Sequence, residues 1–447
     1  MKKFNVKILL TVIIFTSSCS EDNNLSVPQS EIPSKPKNLT SLYYDSIIQL
    51  NWETPEYKGN PEIINYNIFR KYGNSDYENI GNSVFNNTSY VDSTAVLFTE
   101  YNYYVSALNE KGESERSNEI TAEAHPVGTD NSVFRIVTSD NNIYIGGVFI
   151  SAGGINTSKI AKWNGLSWSE LGSGINNSVF SIAVNGNEIF AGGFFSSAGG
   201  FTTSNIAKWD GLKWSALGSG LNGGVYSIAI HGTDVYATGL FQAAGNYSAG
   251  YIAKWDGTEW TSLGSGLDFT GRSIVFNGDD LYVCGSFTTA GGITANRIAK
   301  WDGTSWSAPG SGMNNTVYSI AFSGNDLYAG GVFSTAGGKN INYIAKWDGA
   351  EWSALGSGLN GLVFSIAVKG NDVYVGGEFS MAGGISVNQI AKWDGTEWSS
   401  LGNGFNGSVY NLAISENNVY AGGNFIYSGN AAVNNLAKWD QSVWSGF

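Results

Sequence analysis

The sequence predicts an all-β protein: a seven-bladed β-propeller of four-stranded antiparallel blades, preceded by a small antiparallel β-sandwich. Three observations predict it. First, Ile-Ala-Lys-Trp, or Leu-Ala-Lys-Trp in the last copy, recurs seven times at steps of 46 residues and places Trp163, Trp209, Trp255, Trp301, Trp347, Trp393 and Trp439. A second tryptophan follows five places later in every copy (Trp168 in the first, Trp444 in the last), and with Trp52 these are all 15 tryptophans of the chain. Second, 59 glycines combined with 14% aromatic residues favour short strands and tight turns over helix. Third, the residues between 35 and 124 alternate with a period of two, the signature of half-buried strands.

The first residues read as an address. Lys2 and Lys3 precede an apolar run from Ile8 to Phe15. That run is shorter than the roughly 20 residues a bilayer span needs, and it suits a signal-peptide core. Ser17 and Ser18 then lead to Cys19. The segment 1–18 resembles a bacterial lipoprotein signal, which implies lipidation of Cys19 and a membrane partnership through that anchor. Thr16 stands where such signals carry a large aliphatic residue. Ser20-Glu21-Asp22-Asn23-Asn24 resembles the surface-export signal of Bacteroidota lipoproteins, which implies secretion across the inner membrane and an outward-facing place on the outer membrane. Residues 19–34, polar and carrying Pro28 and Pro33, are expected to be a disordered tether.

Residues 35–124 come next. Ile48, Leu50 and Trp52 share one side of a strand, and Tyr66 with Ile68 and Tyr101 with Tyr103 and Val105 repeat the pattern. The segment resembles a fibronectin type III domain, an immunoglobulin-like β-sandwich, along its whole length. Pro36-Lys37-Asn38-Leu39 fits the first strand, Trp52 the buried tryptophan and Thr99-Glu100-Tyr101 the tyrosine corner. Asn109-Glu110-Lys111-Gly112-Glu113-Ser114 fits the turn into the last strand, and it lacks an Arg-Gly-Asp. The resemblance implies a spacer or binding module, with spacer as the expectation. Residues 125–132 are expected to link it to the propeller, residues 133–447.

One copy of the repeat, residues 363–402, shows the blade. Val363 to Val368 and Val373 to Phe379 read as strands about a turn at Gly370-Asn371. A glycine-bearing loop runs from Ser380 to Val387, Gln389 to Trp393 is a third strand, Asp394-Gly395 turns the chain, and Trp398 to Leu401 is the fourth. Tyr328-Ala329-Gly330-Gly331, followed by Trp352, resembles the kelch repeat. An extracellular family of fungal cell-polarity proteins has similar glycine-rich repeats. Lys-Trp-Asp-Gly resembles part of the WD repeat, but the Gly-His pair of that family is absent. Each copy supplies a whole blade, so the ring is expected to close by packing between the first and last blades.

Composition narrows the function. The formal charge of −13 repels phosphate and argues against a nucleic-acid partner. Two histidines, His125 and His231, and two cysteines, Cys19 and Cys284, are too few for a zinc or copper centre, so no metal or cofactor is expected. Neither a nucleophile turn nor a phosphate loop is present, and the expectation is a protein that is not an enzyme. The repeated lysines Lys162 to Lys438 are expected to be structural, and the acids Glu188, Asp234, Asp280, Asp326 and Asp372 to belong to turns. Cys284, in place of a glycine, reads as a small buried thiol.

A ligand is expected where the repeats differ, on the face shared by the second-to-third-strand loops and the inter-blade loops. The candidates are Phe201, Asn246, Tyr247, Tyr251, Phe269, Arg272, Arg297, Lys339 and Tyr343, as one polar and aromatic patch. The expected function is non-catalytic binding of a protein or glycan at a cell surface, for adhesion. The rival expectations are a carbohydrate-active enzyme with acidic residues on the loop face, and a purely structural scaffold.

Overall fold

The computed structural model describes residues 31–44, 47–96, 99–124 and 127–447. The signal segment, Cys19, the tether as far as residue 30 and His125 lie outside the described residues. All regular structure among the described residues is strand.

The N-terminal part has two sheets. One joins Lys37–Tyr44, Ile47–Glu53 and Ser89–Asp92; the other joins Glu78–Val84, Asn65–Tyr72, Glu100–Asn109 and Gly112–Glu113, with Ile120–Glu123 also paired to Glu100–Asn109. Ile48, Leu50 and Trp52 are buried and their strand neighbours are not, as the period of two requires. Trp52 meets Tyr66 edge to face at 5.3 Å between ring centres. The Tyr101 hydroxyl accepts the Val96 N–H at 3.3 Å, the tie expected of that tyrosine. The end of the expected tether is bound instead: Ser34 N donates to Tyr57 O at 2.9 Å, the Ser34 hydroxyl accepts from Tyr57 N, and Glu31 O accepts from Asn60 N. Backbone groups that find partners fix a segment that composition alone reads as loose.

Residues 127–447 form seven four-stranded antiparallel sheets, each from one continuous stretch of chain, together with seven two-stranded hairpins. These are the blades of the propeller. In the sixth blade the strands are Leu362–Lys369, Asp372–Glu378, Ile390–Trp393 and Trp398–Ser400, from the axis outward. The loop expected between the second and third strands is itself a hairpin, with Met381 paired to Ser386 and Ala382 to Ile385.

Blades pack through a repeated set of contacts. The second tryptophan of each copy is buried, and from Trp214 onward its Nε1 donates at 2.7–3.0 Å to a carbonyl of the preceding blade, such as Leu171 O or Leu401 O. The first tryptophan is only half-buried and pairs with the second across the strands, as Trp255 does with Trp260 at 5.5 Å. Cys284 is fully buried, and burial pushes its thiol pKa up, so it is an inert packing group.

The same contacts close the ring. Trp168 Nε1 donates to Phe447 O at 3.4 Å, and Phe447 occupies the repeat position of Leu401. Ile136 N donates to Asn411 Oδ1 at 2.8 Å, and Tyr420 and Leu436 join the first blade's core. Closure by packing, without an exchanged strand, is therefore what the chain does. The expected linker is part of it from Val127 on. Gly128 N donates to Phe447 O, Thr129 N to Asn434 O, and Thr129 bridges Ala152 as Ile175 bridges Ala198 one blade later. Those residues form the inter-blade loop between the last blade and the first.

Candidate binding surface

Two loop systems share one face and are tied together in all seven blades. Asp130, Asn176, Asn222, Asp268, Asn314, Asn360 and Asn406 stand in the inter-blade loops. The Oδ1 of each accepts two backbone N–H groups of the adjoining hairpin at 2.8–3.1 Å. The side chain thus satisfies two donors that no strand pairing reaches. The hairpin turn then rests on the outer strand: a Cβ on Gly153 would come within 2.5 Å of the Trp168 ring. Loop face and outer rim are rigid as a result.

The nine candidates do not gather into one patch. Phe201 and Tyr247 occupy equivalent hairpin tips on the rim, 55% and 54% exposed, with Asn246 exposed beside Tyr247. Lys339 holds the same position in the fifth blade, where its ammonium pairs with Glu351 at 2.8 Å and donates to Trp352 O at 3.0 Å. Tyr251, Arg297 and Tyr343 share a third-strand start whose φ is positive in all seven blades, between 61° and 73°. Side chains at this position brace loop carbonyls: Arg297 donates to Ser286 O at 2.8 Å and to Phe287 O at 2.9 Å. Tyr343 packs against the core between its own blade and the sixth. Tyr251 packs in the same way against the core between the third and fourth blades, with its hydroxyl accepting from Gln242 at 2.7 Å and its ring 5.9 Å from the exposed Phe269.

Arg272 lies elsewhere, at the axis. In every inner strand the pairing register shifts at one residue, a β-bulge that re-aims the side chain. The bulged residues are Phe134, Phe180, Tyr226, Arg272, Tyr318, Phe364 and Tyr410. They touch one after another around the axis: Phe134 to Phe180 at 5.0 Å, Phe180 to Tyr226 at 5.5 Å, Tyr318 to Phe364 at 5.5 Å, Phe364 to Tyr410 at 5.6 Å and Tyr410 to Phe134 at 5.6 Å. Arg272 fills the remaining gap, 4.3 Å from the Tyr226 ring centre and 5.6 Å from that of Tyr318. The result is a collar of six aromatic rings and one guanidinium.

Residues 350–445 match the family model of the Rax2 C-terminal β-propeller domain. The matched span starts in the last turn of the fifth blade and runs through the sixth and seventh. No curated protein matches the chain. Solved structures similar to part of it include domains A168–A170 of titin, at 21% identity over 21% of this chain and 32% of that one, TM-score 0.20. The chain thus spans about a third of that titin segment. An Fn3-like protein from Clostridium thermocellum aligns at 25% identity over 20% and 90%, TM-score 0.18. The FN5 domain of Drosophila Lar aligns at 20% identity over 22% and 100%, TM-score 0.18.

The two faces of the propeller differ in chemistry. The turns between third and fourth strands carry Asp210, Asp256, Asp302, Asp348, Asp394 and Asp440. Each accepts two backbone N–H groups, which hold their carboxyls below the usual range; Asp256, Asp394 and Asp440 fall to about 2. The acids expected in the first turns pair with the repeated lysines instead, Lys254 with Asp234 at 2.6 Å and Lys392 with Asp372 at 2.7 Å. His231 ends an inner strand, where it stacks on Phe276 at 4.5 Å and meets Asp279 at 3.1 Å.

Large apolar side chains sort the other way. Of those the propeller exposes, Leu166, Leu212 and Val443 stand in the turns between third and fourth strands, Leu166 beside Asn164 and the other two beside aspartates. The rest, among them Ile150, Phe194, Phe201, Tyr247, Phe269 and Tyr427, stand on the loop face and its rim. Grooves open on the same face, the first beside the exposed Phe194 and the second over the buried Phe405. One of about 440 Å³ is lined by Asn176, Asn177, Phe194, Asn205 and Asn222, and another of about 550 Å³ by Asn388, Asn403, Phe405, Asn406 and Asn430. Phe194 and Tyr427 were not among the expected residues. Their signal resembles that of Phe201 and Tyr247, an aromatic at a repeat position that is aliphatic or small in most copies.

Proposed function

We propose that this chain is a non-catalytic surface protein whose propeller presents its loop face to a glycan or protein partner, with the sandwich as a spacer and a lipidated Cys19 as the membrane anchor. The reading rests on the sorting of exposed apolar side chains to one face while the carboxylates of the third turns line the other. Isolated exposed apolar residues are ordinary; their concentration on one face of a rigid scaffold favours a contact surface. Exposed rings beside asparagine-lined grooves suit a glycan, since rings cover sugar C–H surfaces and amides exchange hydrogen bonds with hydroxyls. The groove asparagines Asn176, Asn222 and Asn406 are already held by hydrogen bonds to the hairpin backbone, which lowers the entropic cost of binding.

A glycan array probed with the full chain tests this, with Tyr247→Ala and Phe269→Ala run beside it. Saturable binding weakened about tenfold by either change supports the reading, since one anchor ring is worth roughly 1–2 kcal/mol. Binding that neither change alters overturns the placement on this face. An array with no bound glycan removes the glycan arm and leaves a protein partner, which surface crosslinking on whole cells then seeks.

A further inference from the structure

We propose that the loop-face end of the propeller axis is a site for an oxyanion, and that a carboxylate on a flat apolar body is its best ligand. It adjoins the loop face through Phe194, whose ring lies 5.6 Å from that of Phe180 and 6.0 Å from that of Tyr226, and it stands whether or not the exposed rings of the hairpin tips bind a partner.

The argument begins with a repeated latch. In five blade-to-blade steps, the residue after the bulge accepts the backbone N–H of the next inner strand at 2.8–3.2 Å. Ser181 takes Ile228 N, Ser227 takes Ile274 N, Ser319 takes Ile366 N, Ser365 takes Leu412 N and Asn411 takes Ile136 N. Inner strands have no partner on their axial edge, so these N–H groups need an acceptor.

In the first blade this position is Arg135, which has only donors to offer Ile182. Arg135 is half-buried, and its Nε is buried without a hydrogen-bond partner. Burial also lowers its pKa below the ordinary guanidinium value. Arg272, three blades away and so on the other side of the axis, repeats the situation: its Nε is buried and unpartnered, and its guanidinium lies over the rings of Tyr226 and Tyr318. The seven inner strands carry no acidic residue. Two cations therefore face an axis with no carboxylate of the inner strands to meet them; Glu378, on a second strand at the repeat position of Phe194, accepts from the Ser408 hydroxyl at 2.6 Å.

The collar sets the rest of the ligand. Rings with centres about 5.5 Å apart around a sevenfold circle leave an axial opening a few ångströms across. A folded chain does not enter, but a carboxylate on a planar body does, its face or edge against the collar and its oxygens on Arg135 just beyond it. Charge-assisted bonds from a guanidinium to a carboxylate are among the strongest such contacts, and the forked geometry matches.

Sodium benzoate is the probe. The full chain is titrated with it by calorimetry at fixed ionic strength, with benzamide as its neutral isostere and with chloride and sulfate as small anions. Saturable binding of one benzoate, no binding of benzamide, and competition by sulfate weaker than benzoate itself are expected. Arg135→Gln should weaken benzoate at least tenfold, and Arg272→Gln by a smaller factor. Arg135→Ser places at this position the serine that other blades use, so it should fold, raise the melting temperature without any ligand, and abolish benzoate binding. The proposal is overturned if benzamide binds as well as benzoate, if benzoate survives both Arg135 changes, if chloride or sulfate occupies the site without advantage to benzoate, or if no anion binds.

Discussion

The tightest contact between neighbouring blades yields a test of how the ring is packed. At one second-strand position most blades carry glycine, and the facing inner-strand residue of the next blade is valine. A Cβ on Gly376 would come within 2.5 Å of Val409 Cγ1, and one on Gly192 within 2.6 Å of Val225 Cγ1. Between the third and fourth blades the sizes are reversed: Thr238 replaces the glycine and Gly271 the valine. Thr238 is fully buried and its hydroxyl donates to Tyr251 O at 2.7 Å, and a Cβ on Gly271 would collide with that hydroxyl. The two departures are one exchange of volume across the interface.

Gly271→Val alone should therefore overpack the site and cost about 2 kcal/mol. Thr238→Gly alone should cost about 2–3 kcal/mol, from a lost hydrogen bond, a more flexible strand and an unfilled space. The double change restores the arrangement of the other blades and should cost only about 1 kcal/mol, a coupling of about 3 kcal/mol between the sites. Denaturant unfolding followed by tryptophan fluorescence measures all four proteins. Additive costs, with the double change as damaging as the two single changes together, would refute the packing argument.

Two further outcomes are expected. Trp260→Phe should cost about 3 kcal/mol, because it deletes the 2.9 Å hydrogen bond to Leu217 O, worth about 1 kcal/mol, and roughly three buried ring atoms worth about 2 more. Trp168→Phe should cost less, since its bond to Phe447 O is 3.4 Å long, and equal costs in calorimetry would contradict the graded bond strength. The turn aspartates give a pH prediction. Asp256, Asp394 and Asp440 have folded pKa values of about 2, below the ordinary 3.8, so their stabilising effect is complete above that value and lost as pH falls toward 2. Asn164 makes the same two N–H contacts in the first blade without a charge. Changing the three aspartates to asparagine should thus flatten the fall of melting temperature between about pH 4 and pH 2, and an unchanged slope would count against the turn geometry.

Much of the architecture was legible because a 46-residue repeat written seven times fixes strand count, turn positions and burial together. Along-chain pattern gives no radial position, however, and the functional reading suffered there. Arg272 looked like a loop-face residue because it interrupts a row of aromatics; the bulge that turns that row toward the axis leaves no mark in composition. Arg297 differs from its repeat mates yet does the same bracing of loop carbonyls, so difference alone did not mean function. The acids and lysines were both visible as repeats, but their pairing depends on which strands are neighbours. The Asn and Asp residues of the inter-blade loops are visible too, one in every loop, but their near-uniformity hides them from a reading that looks for differences between repeats.

The claim that one face of the propeller is the contact surface is tested most directly by two triple variants compared in one binding assay. The first carries Phe201→Asp, Tyr247→Asp and Phe269→Asp on the loop face; the second carries Leu166→Asp, Leu212→Asp and Val443→Asp on the opposite turns. All six side chains are exposed, and each trio adds the same charge. Against the glycan or surface protein retained by the unmodified chain, the first variant should lose binding and the second should keep it. Equal binding by both, or loss in the second alone, would contradict the account.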